Sequence, residues 1–401
     1  MKAWQLPLFA MASVSTAAYA VQPDGIMLGS GVTLLPSIKA EVENNSNIYL
    51  QDSNSEVSSV ITRLAPSIAL EVDLGATLLG FAADFENGTY DHDSNDNYLD
   101  QTYSASGEFE LGAKNSASLD ASLNKGHDDR GTGALEGPQA TSIADPSEYD
   151  ETTFGGSYTY GADSSMLQLT GFGTVYDKSY TNNKSSTADL EHDKTTLGAR
   201  LSYKISGMTR AEIEVSQAET SFVTDTAALE RDGSETRLMA GVSWDITGKT
   251  TGSLLVGNSA RSFDQSDLDT QTKFAWEIGA SWSPREYSTL NFSSNQSAEE
   301  TTGSGNFIDR VVTTLSWDHE FSSYWSADAS FSRTSDTYVN AGVSAFSDRK
   351  DTLNDMSVGA VYSPNKMVDI EAGLTKSART SNVDGLDYSQ TIMVASVLVA
   401  F

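Results

Sequence analysis

Residue types able to do chemistry are plentiful in this chain, but their spacing rarely suits it. The stretch Asp91-His92-Asp93-Ser94-Asn95-Asp96 sets Asp91, Asp93 and Asn95 at alternate positions, as a calcium loop begins. Such a loop needs glycine at its sixth position for a sharp turn and glutamate at its twelfth as a bidentate ligand. Asp96 and Thr102 stand there instead, so the stretch reads as a solvated acidic loop, with loose divalent-cation binding as the alternative. The four histidines (His92, His127, His192, His319) lack metal-ligand spacing, and no cysteine supplies a thiolate or a disulfide. Gly171-Phe172-Gly173 sits inside an alternating segment, without the strand-to-helix step a nucleotide site requires. No serine, histidine and aspartate can be placed together at strand ends. The expectation is a non-enzyme with no cofactor and no metal.

The charges that do follow a pattern alternate with apolar residues. From Ser58 to Asp73, Val60, Leu64, Ile68, Leu70 and Val72 share one parity with Thr62 and Pro66, while Arg63, Ser67, Glu71 and Asp73 take the other. Successive side chains of a strand point to opposite faces, so this is one apolar and one wet face. The same alternation sets Phe274, Trp276, Ile278, Ala280 and Trp282 against Lys273, Glu277 and Ser281. It sets Trp325, Ala327, Ala329 and Phe331 against Ser326, Asp328, Ser330 and Ser332. It sets Val368, Ile370, Ala372 and Leu374 against Asp369, Glu371 and Thr375. A charge facing lipid costs roughly 2–4 kcal/mol at the bilayer midplane, so the charged parity belongs inside a barrel. The lumen-lining candidates are Arg63, Glu71, Arg210, Glu212, Glu214, Lys273, Glu277, Arg310, Asp318, Glu320, Asp328, Asp369 and Glu371. They either pair and solvate the wall or, together, form a hydrophilic conduit for a polar solute.

The elements that position these residues are read from the connections. Eight short turns, at Asp73-Leu74-Gly75, Lys114-Asn115, Gly161-Ala162-Asp163, Ser206-Gly207, Thr247-Gly248, Pro284-Arg285, Ser322-Ser323 and Pro364-Asn365, alternate with nine long polar loops. That predicts an all-β, closed antiparallel transmembrane barrel of about 18 strands, with 16 possible. In the last strand Met393, Ala395, Val397, Val399 and Phe401 face one way. Lipid would cover that row, closure onto the first strand would remove the free edge, and Phe401 would sit in an interfacial aromatic girdle. The competing fold is a soluble β-sandwich with a buried last strand. No run of 18 apolar residues follows the first segment, so no transmembrane helix is expected.

Residues 1–20 end Ala18-Tyr19-Ala20 after an apolar stretch and read as a cleaved secretory signal. Val21, not cysteine, follows, which excludes a lipoprotein anchor at that site. Residues 21–30 would be a short periplasmic segment and 31–401 the barrel. Barrel and signal together place the chain in a Gram-negative outer membrane, among lipid and lipopolysaccharide. The net charge of -30 argues against nucleic acid, whose phosphates need Lys and Arg.

The segment IKAEVENNSNIYLQ followed by VITRLAPSIALE resembles the opening of the "putative β-barrel porin 2" family. There a first strand runs into an Asp/Asn-rich segment ending Asn-(Ile/Val)-aromatic, and the next strand carries a proline after an apolar run. Asn47-Ile48-Tyr49 and Leu64-Ala65-Pro66 match; Asn45 stands where the family usually has aspartate. The resemblance implies an outer-membrane pore that secretes exopolysaccharide or capsule with a periplasmic polysaccharide-export protein. A diffusion porin for small sugars or other polar solutes is the alternative. The terminal Phe401 resembles the signature that outer-membrane insertion machinery reads. By analogy with general porins, the third long loop, 129–148, would fold inward and narrow the pore; the alternative is a loop that lies outside or over the mouth.

Overall fold

The computed structural model describes residues 24–224, 231–245, 248–264, 268–301, 305–339 and 349–401. The secretory-signal reading of 1–20 lies outside them. The strands are β1 (Ile26–Gly29), β2 (Val32–Asn45), β3 (Ser59–Asp73), β4 (Thr77–Tyr90), β5 (Tyr98–Glu110), β6 (Asn115–Asp128), β7 (Ser147–Tyr160), β8 (Leu167–Tyr180), β9 (His192–Ser206), β10 (Thr209–Phe222), β11 (Gly233–Asp245), β12 (Thr250–Phe263), β13 (Gln271–Arg285), β14 (Ser288–Glu299), β15 (Phe307–Ser322), β16 (Trp325–Val339), β17 (Lys350–Asn365), β18 (Val368–Ser381) and β19 (Tyr388–Ala400). From β2 to β19 each strand pairs antiparallel with the next, and β19 pairs back onto β2. The result is a closed barrel of eighteen strands, as the sequence predicts, plus β1.

β1 lies inside the span expected to precede the barrel. It joins the same edge of β2 that β19 uses. β19 covers that edge from Ser37 to Asn45, and β1 covers Val32 to Leu34 below it. The Phe401 amide donates to the Pro36 carbonyl between the two. A short added strand thus completes the bonding that β19 leaves open.

Exposure follows the parity. Val60, Leu64 and Ile68 of β3 and Met393 and Val397 of β19 are exposed on the outside, while Ile61 between the β3 residues is buried. Tyr158, Tyr203, Trp282, Phe321, Trp325 and Phe401 form an exposed aromatic row near the short-turn end. Two turns move by two residues from where the sequence set them. Pro284-Arg285 and Pro364-Asn365 are the last residues of β13 and β17, and the chain turns at Glu286-Tyr287 and Lys366-Met367. Both ladders shift register there, between Trp282 and Arg285 and between Tyr362 and Asn365. Proline has no N–H to give a ladder, so a register irregularity tolerates it.

The wall packs closely at β12. Met239, Leu255 and Ala275, from β11, β12 and β13, form a buried apolar cluster on the inner side. A Cβ at Gly257 would meet the Leu238 carbonyl oxygen at 1.9 Å, and one at Gly241 the Leu254 carbonyl oxygen at 1.8 Å. Gly257→Val should therefore lower the yield of folded barrel, read as loss of the heat-modifiable band on a cold gel. A normal folded fraction would show that this close approach tolerates a side chain.

Candidate functional site: a bonded lumen wall and a crossed mouth

Most of the charged inner-parity side chains are partnered. Arg63 donates to Glu41 Oε1 at 2.8 Å, to Glu43 Oε2 at 2.5 Å and, through Nε, to the Tyr98 hydroxyl at 2.9 Å. Lys39 bridges Glu41 at 3.0 Å and Glu371 at 3.2 Å, and Glu371 also accepts from Ser396. Glu214 takes Arg200, Glu277 takes Arg237, and Glu212 accepts from Ser243. Arg310 grips Asp336 through two bonds of 2.8 and 2.7 Å. Asp369 is wholly buried and accepts from Ser363. Lys273 approaches Asp309 at 3.7 Å. At the short-turn end Arg210 donates to the Asp163 carbonyl, and Glu71 and Glu320 are exposed. Asp318 and Asp328 face each other directly across β15 and β16, and Asn291 donates to Asp318 at 3.2 Å.

The long-loop end carries an arrangement that periodicity does not announce. Asn47, fully buried, donates to the Gln51 and Ser389 carbonyls, and Gln390 donates to Asn45 and to the Asn47 carbonyl. That ties the first long loop to β19. Tyr49, two residues on from Asn47, donates to Asp96 at 2.8 Å. Arg130, at the start of the third long loop, donates to Asp96 twice and to Asp93, bonds the Tyr49 hydroxyl and lies 4.5 Å from the Tyr49 ring centre. Asp96 is 3% exposed, so the stretch that reads as a solvated acidic loop is in part a buried seat for a guanidinium. The Asp93 carboxyl is held low by the Asn95 amide and then by Arg130. At Gly131 a Cβ would meet the Tyr49 carbonyl oxygen at 2.0 Å, and φ is +96°. Only glycine brings the loop so close.

From this seat the third loop runs across the mouth. Glu136 accepts from Arg349 at 2.6 Å and from Arg379 at 2.7 Å, at the long-loop ends of β17 and β18. Arg349 also grips Asp351 and lies over the Tyr338 ring, and Arg379 over Tyr388. Ala140 packs in one cluster with Ile48, Tyr49, Ile61 and Tyr90. β6 and β7, which carry the loop, stand far around the barrel from β17 and β18.

A second element turns inward. The β13–β14 ladder ends at Glu277 and Asn295, while β14 and β15 stay paired up to Glu299 and Ile308. The upper part of that hairpin leaves β13. Glu300 beyond it reaches Arg261 on β12 with two bonds of 2.9 Å, Lys194 on β9 at 3.5 Å and Thr220 on β10 at 3.2 Å. Burial alone would raise the Glu300 carboxyl, but Arg261 and Lys194 outweigh it and hold it at about 2.

The sequence reading missed Arg130, Glu136, Arg261, Glu300, Arg349 and Arg379. A charge followed by glycine, Arg130-Gly131 and Glu136-Gly137, is the signal that marks the third loop.

A closed barrel with an apolar outside, a charged inside and loops packed over one mouth is an outer-membrane channel. The chain belongs to the family described as putative beta-barrel porin 2, whose model matches residues 19–401. It is a multi-pass β-barrel of the Gram-negative outer membrane. Among curated proteins no match is found. Among solved structures it is similar to OpdK of Pseudomonas aeruginosa, with 14% identity, TM-score 0.48, and coverage of 92% of this chain and 99% of that one. OpdQ of the same organism gives 12%, 0.49, 92% and 99%. The FrpB iron transporter of Neisseria meningitidis gives 12%, 0.47, 87% and 62%.

Removing one partner of a buried pair costs about 3–5 kcal/mol. Glu136→Gln should therefore loosen the crossing loop and raise single-channel conductance; an unchanged value would mean that the loop does not restrict flow. Glu300 acts differently with pH. Its folded value lies below the usual 4.5, so its contribution is present above that value and lost as pH falls toward 2. Any acid-induced conductance change due to Glu300 should appear only below about pH 4.5 and be absent in Glu300→Gln.

Proposed function

We propose that this porin is a passive diffusion channel for small polar solutes, with a mouth narrowed by tethered loops. The observation that carries this reading is the Glu136 carboxylate held between Arg349 and Arg379. A loop so fixed narrows the opening of a barrel whose eighteen strands would otherwise leave a wide water-filled lumen. The bonded wall suits polar solutes. Paired charges need no counter-ion from the solute, and hydroxyl pairs such as Ser118–Ser157 and Ser330–Ser357 offer exchangeable hydrogen bonds.

A second reading is secretion of an exopolysaccharide or capsule with a periplasmic polysaccharide-export protein. It is supported by the family resemblance and by half-buried inner-parity tyrosines, Tyr98, Tyr149 and Tyr176, whose faces suit sugar rings. It requires the third loop to swing off Arg349 and Arg379 to admit a polymer.

Liposomes carrying the purified barrel should swell in small sugars and polar ions and stay closed to oligosaccharides. Deleting 132–146 should raise the size limit and the single-channel conductance. A wild-type channel that already passes long oligosaccharides would favour secretion, and no swelling in any solute would sink the diffusion reading.

A further inference from the structure

The chain has 55 acidic and 25 basic side chains, yet the outward rows of β16 to β19 contain no Asp or Glu. The acids of these strands, among them Asp328, Asp336, Asp355 and Glu371, fall on the inward parity. The outward rows instead carry Arg333, Lys376 and Lys350. All three are exposed, and none has an ion-pair partner among the described residues.

Their height is set by register. Arg333 lies eight residues along β16 from Trp325 in the periplasmic aromatic row, and Lys376 eight residues along β18 from Val368. At roughly 3.3 Å per residue and a tilt near 40°, each stands about 20 Å above the short-turn end of its strand, against an apolar band about 25 Å tall. Both sit at the outer-leaflet border. Arg333 faces Thr313 and Asn354 across its two ladders, and Lys376 faces Met356 and Thr391. Their neighbours are thus neutral. Exposed Phe331 and Leu374 lie one pleat below, where the aliphatic stems can rest while the charged heads reach outward. The two backbones are two strands and one pleat apart, about 12 Å, within joint reach of two long side chains.

The far side of the barrel has the opposite sign. Outward positions near the mouth on β7 to β10 hold Asp150, Asp177, Asp193 and Glu219, and the one outward lysine beside them, Lys125, lies 3.6 Å from Asp150. Basic groups on an outer surface so acidic elsewhere need an anion that lipid supplies.

We propose that Arg333 and Lys376, with Lys350 above them, form a docking site for the headgroup phosphate of lipopolysaccharide in the outer leaflet. Arginine offers a planar fork to phosphate oxygens and lysine a point charge. The site fixes which side of the barrel binds this lipid tightly. It does not depend on what passes through the lumen.

The test is native mass spectrometry of the full barrel in mild detergent, titrated with bis-phosphorylated lipid A. The double variant Arg333→Gln/Lys376→Gln should bind roughly 10- to 30-fold more weakly than wild type, two surface charges being removed. Lys125→Gln, which loses a lysine already paired, should bind as wild type does. Dephosphorylated lipid A should bind wild type no better than the phosphorylated lipid binds the double variant. Millimolar inorganic phosphate should not displace the lipid. Equal binding by wild type and double variant, equal loss in Lys125→Gln, or indifference to the lipid phosphates would each overturn the site. Displacement by inorganic phosphate would overturn the lipid as its occupant. Cold-gel mobility checks folding, and the single variants Arg333→Gln and Lys376→Gln, each expected to weaken binding in part, serve if the double variant does not fold.

Discussion

In hydrocarbon no water is present to bond an open N–H or C=O, so a sheet that crosses lipid must have no edge. The pairing of β19 with β2 meets that demand, and the rest of the molecule depends on it. Once the sheet is closed, side-chain parity can only mean inside or outside. Arg63, Glu371 and Arg310 therefore face partners across the inner wall, while Val60, Leu64 and Met393 face lipid. β1 extends the same logic, bonding the part of β2 that β19 does not reach.

The seam also anchors the mouth. Asn47 joins β19 to the first long loop, and Tyr49, two residues on, joins that loop to Asp96 and Arg130. Arg130 seats the third loop, and Glu136 carries it to β17 and β18. The charges in this chain of contacts are largely buried, so each is costly without its partner, and that cost fixes the loop in one position. The inward turn of β14 and β15 repeats the device through Glu300 and Arg261.

The barrel was legible because its period of two is imposed by lipid along every strand. Residues 58–73 and 271–283 alone disclose two faces, and the alternation of turn lengths gives the strand number. The bulges at Pro284 and Pro364 were hidden because a proline reads as a turn until register is known. The mouth was hidden for another reason. Glu136 and Arg349 are 213 residues apart, and no local pattern links a carboxylate to a guanidinium at that range. Asn47-Ile48-Tyr49 was visible as a family motif, but its work depends on Ser389, Asp96 and Arg130, which the motif does not contain.

The bond from Asn47 to Ser389 spans 342 residues. Contacts so distant along the chain reward folding only after the whole loop entropy has been spent, so they form late and slowly. Until then the nascent sheet has two ragged margins, and strands with unpaired margins aggregate. The β19–β2 closure that makes the finished wall durable is therefore also its late step, and a catalyst that held both margins until they met would act there.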